Sequence, residues 1–568
     1  MYNDVDLDPA KEFRMADASF DVVVVGGGHQ GLIAANYMIR NGMTVGLFEQ
    51  RRELGGGGAT ESRPASGFLG NPCAHIAGLW ASPVNQDFKL HEHGLNYIFP
   101  EVHGSMVFPD ETCIVSYRSI DWDKETGEVT PKLEAIEKNI KEVERISTED
   151  ADRLAHLAEK KAWEWGLASS LVLWNPPPLP EELDPMEGLF NDPESGIDRR
   201  HQFMSATEVV SDLFDSDKLR AHSLRMLGSA GIYPDDVAPL PVVLSNVPQQ
   251  LLGFGGAVYE GGTHNAIHAL QRALSAEGGK YFVGADVDQI LIENGRARGI
   301  RLADGTEIEA KKMVISSIEV KQTLARHFRE LDMDPEIRRK IKKLRVDRGQ
   351  IFWGHIAFHE LPRYKAEAWN PDCSKARWVF FGDDDIDYLD REYRFNQQHI
   401  RPGQWPEKLY LWEGTDSKWD PRYAPPGKHV ALLEEMAFPA SWRTEKEWMQ
   451  IKKEAPGRFL EEWQKYAPNM TWDNVIAANI DTPWDIQHRS DNFLEGNWGL
   501  IAGTPSQWCT MRPIPEFAQY QIPGIEDFWM AAGTCHYSLG LTGWAGYNCY
   551  KRIAQKLDLW KPWESRIY

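Results

Sequence analysis

The chain has 568 residues and carries 62 Lys and Arg against 84 Asp and Glu, a formal net charge of −22 at pH 7 with histidines neutral. That acidity argues against nucleic acid and anionic membrane surfaces as partners. No apolar run approaches the roughly 18 residues of a membrane-spanning helix, and six scattered cysteines without a Cys-x-x-Cys pair exclude a thiol–disulfide relay and give no metal site.

Residues 1–19 are acidic and polar, neither a secretory signal nor an Arg-rich transit peptide, and read as a mobile leader of a cytoplasmic protein. Val22 to Val25 then has the β-branched composition of a strand buried on both faces of a parallel sheet. Gly26, Gly28 and Gly31 form a GxGxxG turn into a helix. The first glycine makes the tight turn, the second lets backbone approach a pyrophosphate, and the third packs helix on strand. The helix N-terminus favours the anion, and Gly42 suits the position just past the helix end. A second strand, Thr44 to Phe48, delivers Glu49 18 residues after Gly31. An acid there accepts the ribose hydroxyls of an adenosine. Strand, turn, helix, strand and acid in this order predict a dinucleotide site.

Further on, the pattern is helical from Pro131 to Trp174 and again from Ser205, a plausible N-cap, to Leu227. Thr263 to Glu277 reads as an amphipathic helix. Strand-like runs follow at 280–283, 286–292, 298–302 and 314–317, with hairpin turns at Asn294-Gly295 and Asp304-Gly305. Asp286 reads as a surface residue. Residues 320–490 are Trp-rich, and fourteen of the 22 tryptophans lie between Trp353 and Trp529. Strand-like runs at 351–358, 378–381 and 429–436, flanked by a helix near 445–464, predict a sheet that roofs the cofactor. Near the C-terminus, 528–533 is a strand ending in Gly533, and Gly540 and Gly543 open a helix over 544–557. Such a helix start stabilises negative charge on a reduced cofactor ring.

After Glu49 the chain reads E-x-R-x-x-x-G-G-x-x-x-T, with Arg51, Gly55, Gly56 and Thr60. It resembles FAD-dependent phytoene-desaturase-like oxidoreductases of the amine oxidase superfamily. The branch it is most similar to is pyridine nucleotide-disulphide oxidoreductase domain-containing protein 2. The resemblance covers roughly residues 20–560 and is carried by GGGHQGLIAA, GGTHNAIHAL, APPGKHV, MRPIP and AAGTCHYSLGLTG. It implies an α/β fold in which a Rossmann-like FAD-binding domain of the GR2 type is interleaved with an α+β substrate domain containing a mixed or antiparallel sheet. The FAD-binding domain is expected over 20–110, 245–325 and 495–568, and the substrate domain over 111–244 and 326–494.

The same resemblance implies a non-covalent FAD. Gly26, Gly28 and Gly31 would hold its pyrophosphate and Glu49 its ribose. Arg51, Gly55, Gly56 and Thr60 would line it, Val287 would meet the adenine, and Gly533, Thr542 and Gly543 would meet the pyrophosphate–flavin end. Where the family has an HPGGG-like loop, this chain has His536-Tyr537-Ser538-Leu539-Gly540. Tyr537 and His536, with His75 as a second candidate, are the residues nominated for proton transfer. The activity expected is a dehydrogenase or desaturase taking a hydride from a hydrophobic, cyclic or terpenoid small molecule, with O2 or a quinone as acceptor. An FAD oxidase of an amine or similar C–N or C–O substrate is the alternative, and a non-catalytic binder of the GDP-dissociation-inhibitor type the minor one. A homo-oligomer and peripheral membrane contact stay open.

Overall fold

Val22 to Val25 are between 0 and 2% exposed, as an all-β-branched run between two neighbouring strands requires. The computed structural model describes residues 18–160, 166, 170–192, 198–237, 250–536 and 540–565. Within it, Ser19–Val25 is the centre of a seven-stranded sheet. On one side it pairs in parallel with Val45–Glu49, which pairs in turn with Lys280–Val283. On the other it pairs in parallel with Glu307–Ser316. That long strand serves two further neighbours: its first residues pair antiparallel with Arg296–Leu302, and Val314 to Ser316 pair in parallel with Phe528–Met530. Val287–Glu293 completes the hairpin edge.

Of the segment expected as a leader, residues 1–17 lie outside the described residues. Ser19 belongs to the first strand, because it and Phe20 find partners in Glu309 and Ala310.

A second seven-stranded sheet runs in the order Val475–Asp481, Ile351–Phe358, His429–Met436, Leu411–Gly414, Trp378–Phe381, Val102–Val107, Cys113–Tyr117. It is antiparallel except where Trp378–Phe381 meets Val102–Val107 in parallel. This places 102–107, expected in the nucleotide unit, in the roof instead. Its sequence, VHGSMV, is too polar to announce a strand, yet all six residues are buried by that pairing.

One face of the second sheet packs on the helix Glu445–Tyr466, where Trp448, Phe459 and Trp463 are fully buried. Its opposite face carries a row across five strands: Trp353, Glu434, Trp412, Phe380 and Met106. Because side chains alternate along a strand, this row is held on one side by register. The helical expectation for 131–174 resolves into Leu133–Glu144 and Thr148–Lys160, and that for 205–227 into Ala206–Leu213 and Asp217–Ser229. Ser205 caps the former in a capping box with Glu208.

Candidate functional site

The cofactor site grows from the end of Val45–Glu49. The Glu49 carboxylate accepts the backbone N–H of Gly27 at 2.6 Å and of Arg51 at 2.9 Å. One side chain thereby fixes both the glycine turn and the loop after its own strand. Gly55 adds a backbone bond to Gly27 O at 2.9 Å. A cavity of about 430 Å³ opens beside them. Its lining includes Glu49, Arg51, Val287 and Arg326, the turn residues Gly26, Gly28 and Gly56, and Ala74, Trp353, Trp498, Gly533 and Gly540.

The lining fits a dinucleotide on two observations. A Cβ on Gly28 would meet no protein atom closer than Gly56 Cα at 3.9 Å, so packing does not demand glycine there and the open space faces the cavity. The helix His29–Arg40 starts at Gly28 without a capping side chain or an acid in its first turn, which leaves its end to an anion. Trp353 and Trp498 also line the cavity, and their buried indole N–H groups have no partner among the described residues. Such buried donors are costly unless a ligand satisfies them.

Several expected residues stand behind the lining. Gly31 is a packing glycine: its Cβ would fall 2.2 Å from Gly26 O. Gly543 is another, 2.7 Å from the Ile33 side chain, and it caps Trp544–Leu557 in a left-handed conformation (φ 89°). Thr60 does not line the cavity. Its hydroxyl donates to Asn71 Oδ1 at 2.8 Å and accepts the His264 N–H at 3.1 Å, pinning the second glycine loop to the start of the helix His264–Ala276. Thr542 and Gly55 likewise lie outside the lining. Asp286, read as a surface residue, lines the cavity and pairs with Arg326 at 2.7 Å.

Of the proton-transfer candidates, Tyr537 lies outside the described residues. His536 is fully buried and packed: Nε2 bonds to Val172 O at 2.8 Å and the ring sits edge-on to Trp508. Burial pushes its imidazole down to about 4, and it does not line the cavity. His75 is 7% exposed and bonds through Nε2 to Glu434 Oε1 at 2.8 Å. Its chain neighbours Cys73 and Ala74 line the cavity, and burial holds the Cys73 thiol up at about 11. Cys73 is therefore a protonated wall rather than a nucleophile.

Three residues escaped the sequence reading. His29 lines the cavity, and burial lowers its imidazole to about 4, so it is neutral at pH 7. Gln30 Oε1 accepts the Gly546 N–H at 2.6 Å and ties the fingerprint helix to the C-terminal one. Arg512, in the MRPIP segment, is 1% exposed and donates to five backbone carbonyls: Gly533 at 2.9 Å, Gln507 at 3.0 Å, Cys535 at 3.1 Å, Gly499 at 3.3 Å and Ala502 at 3.4 Å. Two of these, Gly499 and Gly533, line the cavity.

Glu319, two residues past the lining residue Ser317, is fully buried. Burial raises its carboxyl to about 7, against the backbone N–H groups of Lys321 and Gln322 that it accepts. A carboxyl raised on folding holds a proton that the unfolded chain releases. Its contribution is therefore complete below its unfolded value and is lost as pH rises towards 7. Glu319→Gln should raise the melting temperature relative to the parent at pH 8 and not at pH 4.5; an equal offset at both pH values would refute the assignment.

Residues 24–86 match the family described as NAD(P)-binding Rossmann-like domain. Over 561 residues the chain is 24% identical to a subunit of the limonene dehydrogenase of Castellaniella defragrans, covering 95% of each. It is 23% identical to pyridine nucleotide-disulfide oxidoreductase domain-containing protein 2 of Mus musculus, covering 93% of this chain and 92% of that protein. A solved oxidoreductase from Methanosarcina mazei shares the fold with a TM-score of 0.59 at 17% identity, over 94% of this chain and 99% of the other. Fingerprint and relatives agree: the chain is an oxidoreductase enzyme with a Rossmann-like dinucleotide-binding domain, similar over its length to FAD-dependent oxidoreductases.

Proposed function

We propose that this protein is an FAD-dependent dehydrogenase that removes a hydride from a hydrophobic small molecule, forming a C=C bond. The observation that carries this reading is the lining of the cavity. It joins a carboxylate fixed on the glycine turn, Glu49, to Trp353 of the second sheet. In this reading Glu49 takes the adenosine ribose, Val287 the adenine, and Gly26, Gly28 and Gly56 the pyrophosphate. Gly533 and Gly540 face the flavin end. Arg51 borders the adenosine, whereas Gly31, Gly55, Thr60, Thr542 and Gly543 shape the loops from behind. The protonated Cys73 thiol supports non-covalent binding.

The bound flavin supplies the hydride acceptor, and O2 or a quinone the final one. The protein's own work is to orient a C–H bond and exclude water under an apolar roof. A hydrophobic substrate follows from the apolar side chains in the lining, Trp353, Phe493, Trp498 and Leu500. Limonene, named in a relative that spans the whole chain, is the first probe.

Purified protein should be yellow, releasing FAD on denaturation, and limonene should bleach the flavin anaerobically. Colourless protein that FAD cannot reconstitute would sink the reading. Flavin that limonene leaves oxidised while a primary amine bleaches it would replace the desaturase with an amine oxidase.

A further inference from the structure

The inward face of the second sheet carries Trp, Phe, Met, Leu and Ile, and two buried carboxylates interrupt it: Asp481, in register with Trp353 and paired with Arg63 and Lys452, and Glu434. Glu434 is 3% exposed, in register with Trp353 on one side and Trp412 on the other. A carboxylate there costs several kcal/mol unless it is paired. Among the described residues its ion-pair partner is His75 alone, at 2.8 Å from Nε2. Arg225 approaches Glu434 only at the backbone carbonyl, at 3.2 Å.

The His75 ring is clamped in turn. It lies edge-on to Trp412 with centroids 4.7 Å apart and edge-on to Trp353 at 6.5 Å. Its backbone carbonyl accepts the buried Arg377 at 3.3 Å. The loop that carries it is fixed at both ends. Ala74 N–H donates to Gly57 O at 3.0 Å, and Ala77 bridges Leu541 in the C-terminal loop. So the pair stands where the two glycine-rich chain ends meet, one residue from the lining residue Ala74.

We propose that Glu434 is the positioning residue for His75: it holds Nε2 as the bonded nitrogen, so that Nδ1 is the ring nitrogen that takes the proton released by the substrate. This rests on the flavin dehydrogenase reading. The hydride leaves one carbon with its bonding pair for the flavin. The neighbouring carbon gives its proton to His75 Nδ1, and the electron pair of that C–H bond becomes the new π bond. Glu434 balances the imidazolium until the proton passes to water, the role a buried carboxylate plays behind a histidine base. A purely structural pair has a cheaper alternative in apolar residues of similar volume.

The test is Glu434→Gln, which keeps shape and removes charge. Ring 15N NMR of labelled histidine in the protein as purified, with His75 assigned through His75→Gln, should show the proton fixed on Nε2 in the parent and shared between both nitrogens in the variant. With limonene as probe, anaerobic flavin reduction should slow on the order of 100-fold, apparent affinity should stay within about threefold, and Glu434→Asp should recover part of the rate. Unchanged His75 signals in Glu434→Gln, or a reduction rate within about threefold of the parent, would overturn the proposal. If that variant does not fold, the parent decides, because a His75 proton resting on Nδ1 overturns it equally. Colourless protein would instead defeat the flavin reading and leave the ring signals in place.

Discussion

Replacing Arg512 by alanine is expected to cost about 3–5 kcal/mol and to release the cofactor, the largest effect of any single polar side chain in the site. The guanidinium holds five carbonyls from two segments that share no strand pairing, 499–507 and 533–535. Its removal orphans those carbonyls in a place water reaches poorly and frees Gly499 and Gly533 from each other. Arg512→Lys should rescue little, because an ammonium has three donors at one point and not five in a planar fork. The measurements are the denaturation midpoint and the flavin-to-protein ratio after gel filtration. A lysine variant equal to the parent in both would mean that charge, not geometry, is what the site uses.

Gly31→Val is expected to abolish dinucleotide retention and to destabilise the fold by about 3 kcal/mol or more. The new Cβ would lie 2.2 Å from Gly26 O and 2.9 Å from Ser317 Oγ. Neither neighbour yields cheaply. Gly26 is fixed at φ 94° in the turn, and Ser317 bonds to Val25 O at 3.1 Å and Gly26 O at 3.0 Å. Gly28→Ala is the informative comparison, because its Cβ touches nothing closer than 3.9 Å. It should fold with the parent's midpoint and still lose the cofactor. If Gly28→Ala keeps full flavin, the cavity beside it is not where the pyrophosphate lies.

The two glycines show what was legible in the sequence. Spacing alone distinguishes a packing glycine from a cavity-facing one, since turn and helix geometry dictate both. Glu49 is legible for the same reason, as strand length sets where it emerges. The strands Ile351–Phe358 and Trp378–Phe381 announce themselves by β-branched and aromatic composition, and His429–Met436 by the apolar run Val430 to Leu433. Val102–Val107 and Leu411–Gly414 do not, because glycine and polar residues interrupt them and only their neighbours make them strands. Arg512 is invisible for a deeper reason: its five partners are carbonyls of irregular backbone, which no residue pattern encodes. His536 shows the converse, a residue whose sequence neighbourhood promises chemistry while the fold spends it on packing. His75 drew notice for its motif, and its partner Glu434 none, since the acid pair Glu434-Glu435 in a strand reads as a solvent-facing position.

The bond from Gln30 to Gly546 joins residues 516 positions apart, which sets the order in which the enzyme is born. At about 5–20 residues per second of synthesis, the first glycine turn leaves the ribosome roughly half a minute to two minutes before the helix that closes over it. During that interval the nascent chain exposes a half-built pocket whose far wall does not exist. The wall that Gly533 and Gly540 give the cavity is therefore in place only late in synthesis.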